Sequence, residues 1–173
     1  MDRRALLRLV WVLSGAALFA AGFFVVTSGA PTYQVAIGQP VRQDDFLYAV
    51  VGVSKARAVG DDAHRAFSRG TFYVTTIQVD NQAMRVGYRW DPSIVYVADA
   101  EGNHYSFSLD AQRALDATRP VDPVIDAGRS ARFEVAFDLP SGVRQPVLGF
   151  SNGILMGDVF NGAAYTRARI PLD

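Results

Sequence analysis

Hydrophobic and polar positions alternate in two different ways along this chain. Over residues 9–27, LVWVLSGAALFAAGFFVVT, every position is apolar or small and no charge occurs. A helix rises about 1.5 Å per residue, so this stretch would cover roughly 28 Å, close to the ~30 Å hydrocarbon core of a bilayer. Ten of its residues are Leu, Val or Phe. Together they favour insertion by on the order of 3 to 6 kcal/mol. The pattern predicts one transmembrane helix over residues 9–27, preceded by a short segment, residues 1–8.

Further on, the period falls to two. Ala131 to Leu139, ARFEVAFDL, alternates most cleanly. Phe133, Val135, Phe137 and Leu139 share one face, while Arg132, Glu134 and Asp138 share the other, the mark of a half-buried strand. Phe46 to Val53 is apolar at both parities and predicts a strand covered on both sides. Thr71 to Asp80, TFYVTTIQVD, is β-branched and aromatic, which suits a pleated surface. Ile94 to Ala98 and His104 to Ser108 read as a hairpin around Asp99–Asn103, with Gly102 supplying the turn. Pro146 to Phe150 is a further strand, and Ala168 to Leu172 reads as an edge strand. Lys55 to Gly70 is polar and reads as a loop or a long hairpin connection. Asp110 to Thr118 is the one short helix, capped by Asp110 and stopped by Pro120.

About seven short strands with turns between them and almost no helix predict an all-β fold, an antiparallel sandwich of two packed sheets. A small barrel is the alternative. The expected organisation is 1–8 cytoplasmic, 9–27 spanning, 28–40 an extended linker, and 41–173 the β-sandwich domain.

Charge orients this plan. Arg3, Arg4 and Arg8 precede the apolar run and no charge follows until Arg42. Positive flanks stay inside, so the N-terminus is expected in the cytoplasm and the domain outside it. The run exceeds the 7–15 residues usual for a signal-peptide core, which favours an uncleaved anchor. Two cleaved forms compete: an ordinary signal cut near residue 30, after Ser28-Gly29-Ala30, and twin-arginine export, since Arg3-Arg4-Ala5-Leu6-Leu7-Arg8 has that motif's character.

Composition narrows the function classes. Three of the 17 bases and one of the 17 acids precede residue 31, leaving 14 against 16 in the rest. No basic stripe appears, so nucleic acid is not an expected partner. There is no cysteine, which removes disulfides, thiol catalysis and Cys-ligated metal.

The order Gly38-Gln39-Pro40-Val41, Asp45-Phe46, Val79-Asp80-Asn81, then Val97 to Tyr105, Ala127-Gly128-Arg129-Ser130 and Phe133 to Pro140 resembles an uncharacterised family of secreted or membrane-anchored bacterial domains. That family is related to a small secreted mycobacterial antigen. The resemblance covers residues 36 to 150. It implies an immunoglobulin-like sandwich, an extracytoplasmic position and no established catalytic activity. The tail, residues 151–173, departs from the shorter members.

Several motifs carry candidate chemistry. Gly149-Phe150-Ser151-Asn152-Gly153 matches the G-x-S-x-G elbow of a serine hydrolase. Both histidines, His64 and His104, precede it, whereas that fold places its histidine after the serine. A turn between strands is the plainer reading. Asp61-Asp62-Ala63-His64 is too short a ligand set for a metal unless His104 joins it. Asp99, Glu101 and Asn103 alternate like calcium ligands, yet the closing glutamate is missing and Asp110 stands there. Paired carboxylates from Asp44, Asp45 or Glu134 have no spacing that the sequence defines. Neither a metal nor a cofactor is expected.

Met84 to Trp90, MRVGYRW, is the remaining candidate. Tyr, Arg and Trp dominate interface energetics. Tyr88, Arg89 and Trp90 are therefore the expected partner-binding surface, although a sandwich also accommodates a tryptophan in its core. The expected function is a non-enzymatic, membrane-anchored extracytoplasmic module that binds another envelope protein or serves envelope assembly. The alternatives are a secreted carrier of a small apolar ligand and a serine hydrolase using Ser151.

Overall fold

The alternating stretches pair into two sheets. The computed structural model describes residues 11–15, 32–151 and 167–173. One sheet has the order β1 (Thr32–Gln34), β11 (Arg167–Pro171), β10 (Val147–Phe150), β6 (Val95–Ala98), β7 (His104–Tyr105). The other has the order β2 (Val41–Gln43), β3 (Phe46–Val59), β4 (Ala66–Asn81), β9 (Ser130–Leu139). A two-stranded ribbon joins β5 (Tyr88–Arg89) to β8 (Val124–Ile125).

The core is the interdigitation of the two inner faces. Phe133, Val135, Phe137 and Leu139 are all buried, as their spacing predicts. Opposite partners Ile77, Thr75 and Tyr73 on β4 extend the same face through the antiparallel register. Val95, Val97, Leu148 and Ile170 complete the core from the other sheet. At about 25 cal/mol per Å² of apolar surface removed from water, each such aliphatic side chain contributes roughly 1.5–3 kcal/mol.

The second sheet is covered outside as well. Helix α1 (Leu109–Thr118) lays Ala111, Ala114 and Leu115 on Val59, Phe72, Val74 and Ala136. That cover explains the small apolar Ala136 at an otherwise polar parity of β9. The cap is Ser108 rather than Asp110: its side chain accepts from Ala111 N. Ser108 N in turn donates to Ala136 O at 2.7 Å. This edge contact holds Ser108 where the helix starts and puts Asp110 inside the first turn. Gln112 Nε2 donates to Glu134 O at 3.1 Å. Two carbonyls of the β9 edge are thus bonded within the domain, which blunts strand-on-strand association.

The polar stretch Lys55 to Gly70 is mostly strand. β3 and β4 run 14 and 16 residues and meet in a short turn. Gly60 closes it at φ +92, where an added Cβ would lie 1.8 Å from His64 O. Gly70 lies equally close to a neighbour, since a Cβ there would be 2.1 Å from Leu139 O. The Asp138 carboxylate accepts from Ser68 Oγ and from Arg69 N, fixing the strand beside that close approach.

Two boundaries differ from expectation. The linker of residues 28–40 already contains β1, and Val35, whose N–H donates to Arg169 O, is in the core. The sandwich therefore begins before residue 41. β11 lies between β1 and β10 rather than at an edge, because β1 takes the outer position.

Contacts divide the chain into two units, Tyr33–Asn152 with Ala168–Asp173, and Met1–Thr32 with Gly153–Arg167. In the second unit, residues 11–15 are helical and exposed. Among the described residues no helix is long and apolar enough to cross a membrane. The remainder of the expected span over residues 9–27 lies outside the described residues, as does most of the tail from 152 to 166.

Candidate binding sites

The segment Gln82 to Trp90 hangs on one buried asparagine. Asn81 ends β4 at 1% exposure. Its Nδ2 donates to Val86 O at 2.8 Å and Ile125 O at 3.0 Å, and its Oδ1 accepts from Ala83 N at 3.0 Å. Its own N–H donates to Arg129 O and its carbonyl accepts from Gly128 N. One side chain thus ties the 82–90 loop to the 125–129 turn.

The expected surface of Tyr88, Arg89 and Trp90 is divided by this arrangement. Trp90 is 7% exposed and stacks on Phe133 at 5.1 Å and 8°. It is a core residue rather than an exposed partner-binding side chain. Tyr88 is half-buried, with its ring 4.4 Å from Phe46 and 6.3 Å from Tyr48. Burial, followed by the hydrogen bond with Tyr88, pushes the Tyr48 hydroxyl far up. Tyr88 is also raised, chiefly by burial. Arg89 alone of the three is exposed. The alternation of the ribbon gives the reason: Tyr88 and Ile125 pair and face inward, whereas Arg89 and Val124 pair and face solvent.

Two hollows flank α1. The larger, about 1080 Å³, lies between the β3–β4 turn, the start of α1 and the end of β9. Phe67, Arg65, Arg69, Arg113, Asp110 and Asp138 line it. Phe67 is 73% exposed. Arg65 pairs with Asp62, and Arg113 approaches Asp110 at 3.7 Å. Arg69 makes no ion pair among the described residues. The groove therefore offers an apolar ring and a free guanidinium, the residue types that carry interface energy. Its lining comes from three separate stretches, which is why sequence reasoning missed it. The lone Phe67 within a polar run was the available signal.

The smaller hollow, about 500 Å³, lies by the other half of α1. Trp90, Phe133, Leu115, Pro92, Pro120 and Pro123 line it, so its surface is mainly apolar. Arg119 closes one side through an ion pair with Glu134, its Nη1 donating to both carboxylate oxygens at 2.7 and 2.8 Å.

The remaining motifs resolve as turns and caps. Ser151 Oγ donates to Ile94 O at 3.0 Å, and its N–H to the same carbonyl at 2.7 Å. It sits at the Val95 end of β6, whereas His104 pairs with Ala98 at the other end. Three residues of strand, roughly 10 Å, separate those levels, so His104 is no base for Ser151. His104 instead stacks on Tyr96 at 4.6 Å. Asp61 accepts from Ala63 N and His64 N, shaping the hairpin turn. Those bonds, led by that from His64 N, lower its pKa. Asp44 and Asp45 occupy the β2–β3 turn, while Glu134 is on β9 at the opposite edge. Among the described residues no group of three His, Cys, Asp or Glu side chains gathers as a metal site.

Asp99, in the stretch read from sequence as a hairpin turn rather than a calcium loop, is the hub of the β6–β7 turn. It accepts from Glu101 N, Asn103 N, Asn103 Nδ2 and Tyr105 Oη at 2.8–3.0 Å. The Asn103 side chain, then Tyr105 and the backbone N–H groups, hold its carboxyl down at about 2, against an ordinary 3.8. A depressed folded pKa adds stability above the unfolded value, which is lost as pH falls through the folded one. Asp99→Asn is therefore expected to lower Tm at neutral pH, with the gap to wild type closing between about pH 4 and pH 2. Thermal melts across that range check it, and a pH-independent gap would contradict the turn's electrostatics.

Two sheets packed face to face, one carrying a short helix, define an all-β sandwich domain. Solved structures share that fold at low identity. The secreted protein MPT63 of Mycobacterium tuberculosis matches with TM-score 0.54 and 15% identity, over 81% of this chain and 98% of that one. An uncharacterised β-sandwich protein of Clostridium difficile matches with TM-score 0.55 and 11% identity, over 82% and 95%. The yjhA protein of Bacillus subtilis matches with TM-score 0.55 and 8% identity, over 80% and 98%. No curated protein sequence matches. The chain belongs to the family described as domain of unknown function DUF4352, whose model matches residues 35–159.

Proposed function

We propose that this protein is a membrane-tethered, extracytoplasmic, non-enzymatic module that holds an envelope protein in the groove beneath the β3–β4 hairpin. The groove carries the reading: Phe67 stands open beside Arg69, which makes no ion pair among the described residues, in a concavity of about 1080 Å³. The apolar, uncharged stretch over residues 9–27 and the arginines before it support the tether and its orientation. The secreted relative MPT63 supports a place outside the cytoplasm. Ser151, bonded to a backbone carbonyl and distant from His104, supports a role without catalysis.

A photo-crosslinking residue at position 67, in intact cells, is expected to give one discrete adduct with an envelope protein. The same residue at Val51 on β3 is expected to give none. Phe67→Ser with Arg69→Glu is expected to reduce binding of that protein at least about tenfold, roughly 1.4 kcal/mol. Unfolding should shift by no more than about 0.5 kcal/mol, because both positions are exposed. Absence of an adduct would remove the groove from the proposal. Topology is read separately. A cysteine introduced by Ser141→Cys is expected to react with an impermeant maleimide in unlysed cells and to stay in the membrane fraction.

The apolar hollow beside Trp90 favours one second reading, a secreted carrier of a small apolar ligand. A shortened soluble chain co-purifying with such a molecule, detected by native mass spectrometry, would establish it in place of the tethered module.

A further inference from the structure

Met84 is the most exposed large apolar side chain among the described residues, at 87%, and Val86 follows two positions on at 64%. Between and beside them stand Arg85 and Arg89, both exposed. Neither guanidinium has an ion-pair partner among the described residues. The flanking carboxylates are engaged elsewhere: Asp91 accepts from Ser93 N and Asp122 from Val124 N, each at 2.8 Å. Exposed Val124 pairs with Arg89 across the ribbon, so the apolar surface continues beyond the loop.

The loop is also held open. Asn81 fixes its backbone at Ala83 and Val86, so Met84 and Val86 are displayed from a rigid base rather than folded back on the sandwich. Water is a poor solvent for such a tip. An apolar tip carrying unpaired arginines fits the boundary between acyl chains and headgroups, where long basic side chains reach phosphate while apolar ones enter the chains.

We propose that residues 84–89 form a second membrane contact. Met84 and Val86 enter the headgroup–acyl boundary, and Arg85 and Arg89 meet the phosphates of anionic lipid. The proposal rests on the tethered reading above. Thr27 ends the expected span and Thr32 opens β1. Five residue steps, at most roughly 17 Å if extended, would link the expected span to β1. At that range the contact is intramolecular, so a loop too weak to bind a membrane alone becomes effective. Each arginine near an anionic surface adds about fivefold in occupancy.

The native chain has no cysteine, so one site can be labelled at a time. Full-length protein with Met84→Cys or Val86→Cys carries an environment-sensitive fluorophore and is reconstituted into phosphatidylcholine vesicles with or without phosphatidylglycerol. The expected result is blue-shifted, quencher-shielded emission from either position, stronger with phosphatidylglycerol. A label introduced by Ser141→Cys should stay aqueous. Arg85→Glu with Arg89→Glu should reduce the shielded fraction by more than about tenfold. Emission at 84 and 86 matching that at 141, in a chain that floats with the vesicles, overturns the loop contact and leaves the tether standing. A chain that does not float removes the tether, and with it the loop contact that depends on it.

Discussion

Trp90→Ala is expected to destabilise the sandwich by about 3–5 kcal/mol, the range for truncating a buried aromatic. Two ring contacts and burial set the size. The indole stacks on Phe133, lies 6.4 Å from the Tyr48 ring and is only 7% exposed. Its backbone N–H donates to Pro123 O at 2.8 Å, so the main chain stays in place and cannot collapse into the space left. The cavity would merge with the apolar hollow that Trp90 already lines. A domain of this size has only about 5–15 kcal/mol in total, so urea unfolding should show a large fall in midpoint. Arg89→Ala, one residue away, is expected to change stability by under about 0.5 kcal/mol. Equal effects at both positions would contradict the inward and outward assignment along the ribbon.

Asn81→Ala is expected to cost about 3 kcal/mol, through a different mechanism. Removing the amide leaves Val86 O, Ile125 O and Ala83 N without their partner, and each unsatisfied buried group costs roughly 1–3 kcal/mol. The total stays at the low end of the summed range because the 82–90 loop can lift and let water in. That relief has its own signature. Trypsin should cut after Arg85 much faster in the variant under native conditions, since local opening no longer breaks the Asn81 bonds. Asn81→Asp is expected to behave similarly, because a carboxylate keeps the acceptor for Ala83 N and loses both donors. A variant equally stable and equally resistant to trypsin would show that the loop is held by other means.

The two effects also explain why Tyr88, Arg89 and Trp90 were a plausible surface in sequence and are not one in space. Residue type alone cannot separate a core tryptophan from an interface tryptophan, since both environments favour the same side chain. The pairing of β5 with β8 decides it by sending alternate residues to opposite sides.

β9 was legible almost residue by residue, because one face meets the opposing sheet and the other is largely polar. Ala136 departs from that pattern through α1, which reaches β9 from another part of the chain. The turn at Asp99–Asn103 was legible from local chemistry: Gly102 has φ +84, and the Asp99 carboxylate bonds within six residues of itself. The extent of β3 and β4 was not. Lys55 to Gly70 is polar because the hairpin has water around much of its surface, so strand conformation leaves no alternating apolar trace there. The groove was hidden for a related reason, since Phe67, Arg113 and Asp138 converge only when the hairpin, α1 and β9 pack.

Local periodicity and turn chemistry thus suffice for the all-β class, the main strands and the hairpin turns, because those depend on neighbours within a few residues. The span expected over residues 9–27 is an expectation from length and charge alone, and most of it lies outside the described residues. Which strands lie side by side, which side chains are buried and which face solvent depend on contacts between distant segments. So do the cap at Ser108, the burial of Trp90, the loop held by Asn81 and both hollows beside α1. Those features arise from long-range packing, and the residues that make them carry no mark until the two sheets meet.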